Sequence, residues 1–175
     1  MTDLAASGGY YVASACENIY ANRASLVGSI GVVLSGLAGF GFTEVMENLG
    51  IERRLMTAGK HKGYLDPFSP VDAKEQSHTQ TMLDNLHLEF INDVKKGRGA
   101  RLKDNEKIFS GLIWSGKKAH ELGLIDDFSS RKKIAKEQFN LTNIYDYTPK
   151  KDSFEEFLAY SKAMLESLKF IGKLF

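Results

Sequence analysis

Two hydrophobic periods alternate along the chain, and they divide it into helices and strands. Residues 8–16 read as a short helix opening at a glycine pair, and "NIYAN" (18–22) as a short buried strand. "SLVGSIGVVLS" (25–35) mixes β-branched residues with glycines, the pattern of a strand whose backbone packs closely against a neighbour. "GLAGFG" (36–41) is loop, "FTEVMENLG" (42–50) predicts a helix stopped by Gly50, and "IERRLMTAG" (51–59) predicts a strand. This strand–helix–strand alternation implies an α/β layered fold.

A loop with Gly63, Pro67 and Pro70 as breakers fills 60–70. Ser69 is the expected cap of the next helix, with Pro70 at its first position and Asp72 at its third. Met82, Leu83, Leu86, Phe90, Ile91 and Val94 then recur at helical spacing, and Gly97 is the expected end. Ser115 is the expected cap of "GKKAHELG", with "LIDDF" (124–128) as a strand after it. Residues 152–174, with Phe154, Phe157, Leu165 and Leu168, predict an amphipathic helix. No repeat, low-complexity tract or long linker interrupts the chain, so residues 1–175 are expected to form a single domain.

Composition narrows the function. Charged residues are 26% of the chain and the net charge is +1, so no strong field points to nucleic acid. Cys16 is alone, which excludes an internal disulfide framework. The four histidines lack a metal-ligand spacing. No run reaches the ~18 apolar residues of a membrane span, and no cleavable signal is evident. Met1 leads almost directly into "AASGG", so the chain is expected to be a fragment or to start late.

Candidate chemistry begins in "LAASGGYYVASAC", where Ser7 stands between two alanines and two glycines. A serine at a helix start often only caps it, and spacing alone slightly favours that role. The same position also lies beside unpaired N–H groups that would stabilise an oxyanion, and Gly8 and Gly9 would admit a peptide backbone. A serine nucleophile needs a base. His61 has no evident acidic partner, and Lys60 and Lys62 flank it. A lysine serves as base where burial favours its neutral amine, although a solvated turn is the commoner setting for such a cluster. Lys60 and Lys62 would face the same way in an extended segment, so periodicity does not separate them.

Two other patterns carry less. "SGKK" (115–118) fits an SxxK pattern, but its companion motifs are absent and Ser115 serves better as a cap. Adjacent Asp126 and Asp127 would face opposite sides of a strand, so a turn is the better reading than a catalytic carboxylate pair.

"DLAASGGYYVASACENIYANRASLVGSIGVV", "RRLMTAGKHKGYLDPFSP" and "IWSGKKAHELGLIDDF" together resemble the signal peptide peptidase A family, from about Asp3 to Phe128. These are bacterial and archaeal serine proteases with a Ser–Lys dyad. The resemblance implies a Clp protease/crotonase-like α/β fold, with a mostly parallel sheet and flanking helices. It implies Ser7 as nucleophile, Lys62 as general base, Ser29 as a hydrogen-bond support for the lysine amine, and the Gly8 amide as half of the oxyanion hole. It further implies an endopeptidase acting on remnant signal peptides or other membrane-derived or unfolded peptides, with no metal or organic cofactor.

The family forms homo-oligomeric rings or domes in which serine and lysine meet across protomers. It is membrane-associated on the extracytoplasmic side. Set against the family, this chain is expected to lack the anchor, an upstream strand and a Pro-Gly-Gly segment. Two other classes remain open. One is a catalytically silent assembly piece. The other is a crotonase-type acyl-CoA enzyme, disfavoured because it would leave Ser7 and Lys62 without a purpose.

Overall fold

The structure, a computed structural model, describes residues 1–35 and 39–147. It divides into two units, Met1–Ile134 and Ala135–Phe175. The helix expected over 152–174 and part of the 36–41 loop lie outside the described residues.

The first unit is mixed α/β. Strand β1 (Leu4–Ala6) pairs in parallel with β3 (Leu26–Gly28), and β4 (Ile113–Ser115) pairs antiparallel with the other edge of β3. A second, two-stranded sheet joins β2 (Tyr20–Ala21) in parallel with β5 (Asp127–Phe128). Parallel neighbours need a crossover, and helix α1 (Gly8–Ser14) lies within the one between β1 and β3. Side chains alternate as a half-buried sheet requires: Ala5 and Val27 are buried, while their neighbours Leu4 and Leu26 are exposed.

The strands are shorter than the apolar runs suggest. The strand expected over 25–35 ends at Gly28, because Ser29 turns to φ 52° and leaves the ladder. The strand expected over 51–59 does not form; residues 51–57 are exposed and pair with no described strand. Extended backbone without a partner leaves its N–H and C=O groups to water, so β-propensity there has nothing to act on.

Helices follow expectation more closely. Helix α2 (Thr43–Asn48) ends just before Gly50, and Ser115 caps α4 (Gly116–Glu121) by accepting from the Lys118 N–H at 3.3 Å. The 26-residue α3 (Ala73–Arg98) is capped by Asp72, not Ser69. The Asp72 carboxylate accepts from the amides of Lys74 and Glu75, whereas Ser69 Oγ donates to Asp66. Phe90 and Val94 are buried as the periodicity requires, but Leu86 is exposed.

Helix α3 also runs through Gly97, and that glycine has a packing reason. A Cβ there would lie 2.0 Å from the Ser14 carbonyl oxygen, so only glycine lets α1 and α3 approach this closely. Helix α5 (Arg131–Phe139) completes the described helices.

Tyr10 on α1 is fully buried in the core with Val27, Ile30, Val94 and Leu124, and its hydroxyl donates to the Leu124 carbonyl at 2.8 Å. That burial pushes the phenol well above its ordinary pKa. The anchor fixes α1, and with it the turn that begins at Ser7.

The other anchor is ionic. Arg98 is 1% exposed and makes a two-pronged bond to Asp126 at 2.9 Å on each arm, while its Nε donates to the Gly123 carbonyl. Asp126 also accepts from Arg101 and from the Ile19 N–H. Burial alone would raise the Asp126 carboxyl. The Arg98 hydrogen bonds, the Ile19 amide and the charges of Arg98 and Arg101 outweigh it and hold the group at about 2.

A carboxyl whose folded pKa is depressed stabilises the fold above its unfolded value and loses that contribution as pH falls through the folded one. Asp126→Ala leaves Arg98 buried without its counter-charge and is expected to cost about 3 kcal/mol at neutral pH, measured by urea unfolding. The gap from the parent should narrow between about pH 4 and pH 2. An unchanged unfolding midpoint at neutral pH would contradict this role.

Candidate active site

Strand β1 ends at Ala6 and α1 begins at Gly8, so Ser7 alone makes the turn between them. It does so at φ 53° and ψ −125°, in a region that a residue with a Cβ rarely occupies. Its backbone is tied at both ends. The N–H donates to the Gly28 carbonyl at 2.8 Å, and the carbonyl accepts from Tyr10 and Tyr11 at 2.9 Å.

The side chain is not tied. Ser7 occupies the N-cap position but makes no capping bond, and its exposed hydroxyl has no partner among the described residues. The Gly8 and Gly9 amides likewise find no acceptor there. A Cβ on either glycine would meet nothing within 4 Å, so the side-chain face of both residues is open.

Ser29 stands beside this turn. The register pairs Ala6 with Gly28, so Ser7 and Ser29 follow directly at the same carboxyl ends of two parallel strands. Ligands of open α/β sheets bind at that end. Ser29 also has a positive φ, is half-buried, and donates its N–H to the Leu112 carbonyl at 2.8 Å. The Ile30 carbonyl accepts from the Gly111 amide at 3.1 Å and lies 3.1 Å from His87 Nε2, which joins the segment after β3 to α3. No sequence motif marks His87 for this role.

Lys62 is placed differently. It lies in an exposed turn, where its N–H donates to the Gly59 carbonyl at 3.0 Å. Among the described residues, no hydrogen bond or ion pair joins its side chain to Ser7 or Ser29. Lys60 is exposed as well. Ser7, Gly8 and Ser29 thus come together in the chain, and Lys62 is not bonded to them.

The same turn corrects one expectation. His61 does have an acidic partner: its Nδ1 lies 3.0 Å from Glu75 Oε1, in the first turn of α3. The pair is separated by 14 positions, across a loop whose course the spacing does not define. Nearby, the Ser69 hydroxyl and the Arg53 guanidinium lower the Asp66 carboxyl. Asp126 and Asp127 are a bend and a strand start, with Asp126 spent on the Arg98 pair.

Among the described residues, no three of His, Cys, Asp and Glu gather to hold a metal. No described helix is long and apolar enough to cross a membrane.

Comparison with known proteins identifies the family. The model of peptidase family S49 matches residues 1–144. The chain is 32% identical over 145 residues to the chloroplastic serine protease SPPA of Arabidopsis thaliana, covering 81% of this chain and 21% of that protein. It is 27% identical over 143 residues to protease 4 of Haemophilus influenzae, covering 82% and 23% respectively.

A stretch of 137 residues is also 43% identical to a Brucella abortus protein named as a Na(+)/H(+) antiporter NhaA, covering 78% of this chain but 18% of that protein. That name belongs to a much longer protein, whereas the peptidase model matches residues 1–144 of this one. The chain spans less than half the length of each of these relatives. The chain belongs to peptidase family S49, the signal peptide peptidase A family.

Proposed function

We propose that the protein is a serine endopeptidase with a Ser7–Lys62 dyad on a Clp protease-like fold, cleaving remnant signal peptides or other membrane-derived or unfolded peptides. One observation carries the reading: Ser7 is held by its backbone in a strained strand-to-helix turn, yet its hydroxyl is left unbonded. A cap would spend the hydroxyl on a backbone amide, whereas a nucleophile must keep it free and exposed.

In the reaction, the neutral Lys62 amine takes the Ser7 proton as Oγ bonds to the scissile carbonyl carbon. The Gly8 N–H donates to the oxyanion that forms. The Lys62 ammonium then returns the proton to the leaving nitrogen, the C–N bond breaks, and an acyl-Ser7 ester remains. Water attacks the ester, giving a proton to Lys62. The Ser7–acyl bond breaks, and the Lys62 ammonium returns that proton to Ser7 Oγ. Ser29, at the end of the neighbouring strand, orients the lysine amine by hydrogen bonding.

A lysine serves as base where burial favours its neutral amine, and Lys62 is exposed among the described residues, so the reading needs an enclosure that these residues do not provide. The reading therefore includes a homo-oligomer in which Lys62 of one copy enters the Ser7 site of another. A fluorophosphonate probe tests the reading, because only an activated serine forms the adduct. A silent assembly piece would remain unlabelled, and an acyl-CoA enzyme would instead turn over a thioester.

A further inference from the structure

Beside the Lys62 turn lies a cavity of about 400 Å³, formed by that turn and the start of α3. Lys60, His61, Tyr64, Lys74, Glu75 and His78 line it. Every one of these side chains carries a charge, an imidazole or a hydroxyl. The single carboxylate, Glu75, is already engaged by His61 at 3.0 Å.

Lys60 and Lys74 form no ion pair among the described residues. Asp72, two residues before Lys74, turns its carboxylate to the Lys74 and Glu75 amides as the helix cap. Two lysines therefore line the cavity with one carboxylate, which His61 already contacts. The chain as a whole is almost neutral, at +1. Within the cavity lining, however, lysines outnumber carboxylates by two to one.

We infer that this cavity is a specificity subsite for an acidic side chain, Asp or Glu, of a bound peptide. The inference rests on the peptidase reading in one respect: Lys60, His61 and Tyr64 share a turn with Lys62, so a peptide held at Lys62 passes the cavity. The substrate carboxylate accepts from the Lys60 and Lys74 ammonium groups, with the Tyr64 hydroxyl as a further donor. A basic side chain at the same place is repelled, and an apolar one leaves both lysines without a partner.

The test is binding of fluorescent peptides to the full chain carrying Ser7→Ala, so that nothing is turned over. Glu and Gln are exchanged at one position at a time. At one position Glu should bind about fivefold to tenfold more tightly than Gln, the scale expected of two partly exposed ion pairs. That preference should fall below about twofold when Lys60→Gln and Lys74→Gln are added, and it should weaken in salt. Both lysines are exposed, so circular dichroism should show the fold unchanged.

Equal affinity for Glu and Gln at every position overturns the inference. So does a preference that survives loss of both lysines. Cleavage of the same peptides by the parent protein keeps the two readings apart. Cleavage without a Glu preference removes the subsite alone. A lysine-dependent preference without cleavage upholds the cavity as an acidic-peptide site and counts against the peptidase reading only.

Discussion

Ser7→Ala is expected to abolish peptide hydrolysis, by about 10⁴-fold or more, and to abolish fluorophosphonate labelling with it. The size follows from the role, since without Oγ no acyl-enzyme forms and only binding and the Gly8 amide remain. The fold should be unaffected. The Ser7 hydroxyl bonds no described residue, so its removal leaves no buried group unpaired. The backbone bonds that hold the turn, from Ser7 N–H to Gly28 and from Tyr10 and Tyr11 to Ser7, do not involve the side chain. Intact-mass detection of the probe adduct, alongside circular dichroism, measures both halves of the expectation. Equal labelling of parent and variant would remove Ser7 as the nucleophile.

Lys62→Ala is expected to lower activity ~10²-fold or more, the usual consequence of removing a general base. Lys60→Ala should cost at most severalfold on a peptide without acidic residues. Both side chains are exposed in the chain, so neither change should move the unfolding midpoint appreciably. A loss confined to Lys62 would then be chemical and not structural. The measurement is kcat/KM for both variants on one neutral peptide, and the reverse ranking would transfer the role to Lys60.

Which features were legible in the amino-acid order follows from how local their causes are. Helix α4 was readable because Ser115 caps its own first turn, and α2 because its stop lies beside it. The cap signal of Ser69 and Pro70 points three residues ahead of the actual cap, Asp72, because Ser69 instead bonds Asp66. Residues 51–59 have strand composition, but a strand also needs an edge to pair with, which composition does not contain.

The Arg98–Asp126 pair was invisible for a related reason. A charge at the end of an apolar stripe reads as solvated, and its partner lies 28 positions away. In the site, the small residues around Ser7 were a local signal and could be read directly. Its proximity to Ser29 comes from the parallel register of β1 and β3, which only the fold supplies. The choice of Lys62 over Lys60 has no local physical signature, and it rests on family resemblance.

Joining the dyad across two copies is the central claim, and mixing two inactive proteins tests it most directly. Ser7→Ala subunits retain Lys62, and Lys62→Ala subunits retain Ser7. Co-refolded in equal amounts, the two should regain a fraction of parent activity at interfaces that bring an intact serine to an intact lysine. Each variant refolded alone should stay inactive. The control is co-refolded parent protein that is active and oligomeric by light scattering. With that control in place, recovered activity in the mixture is the expected result, and a mixed oligomer that remains silent would contradict the shared site.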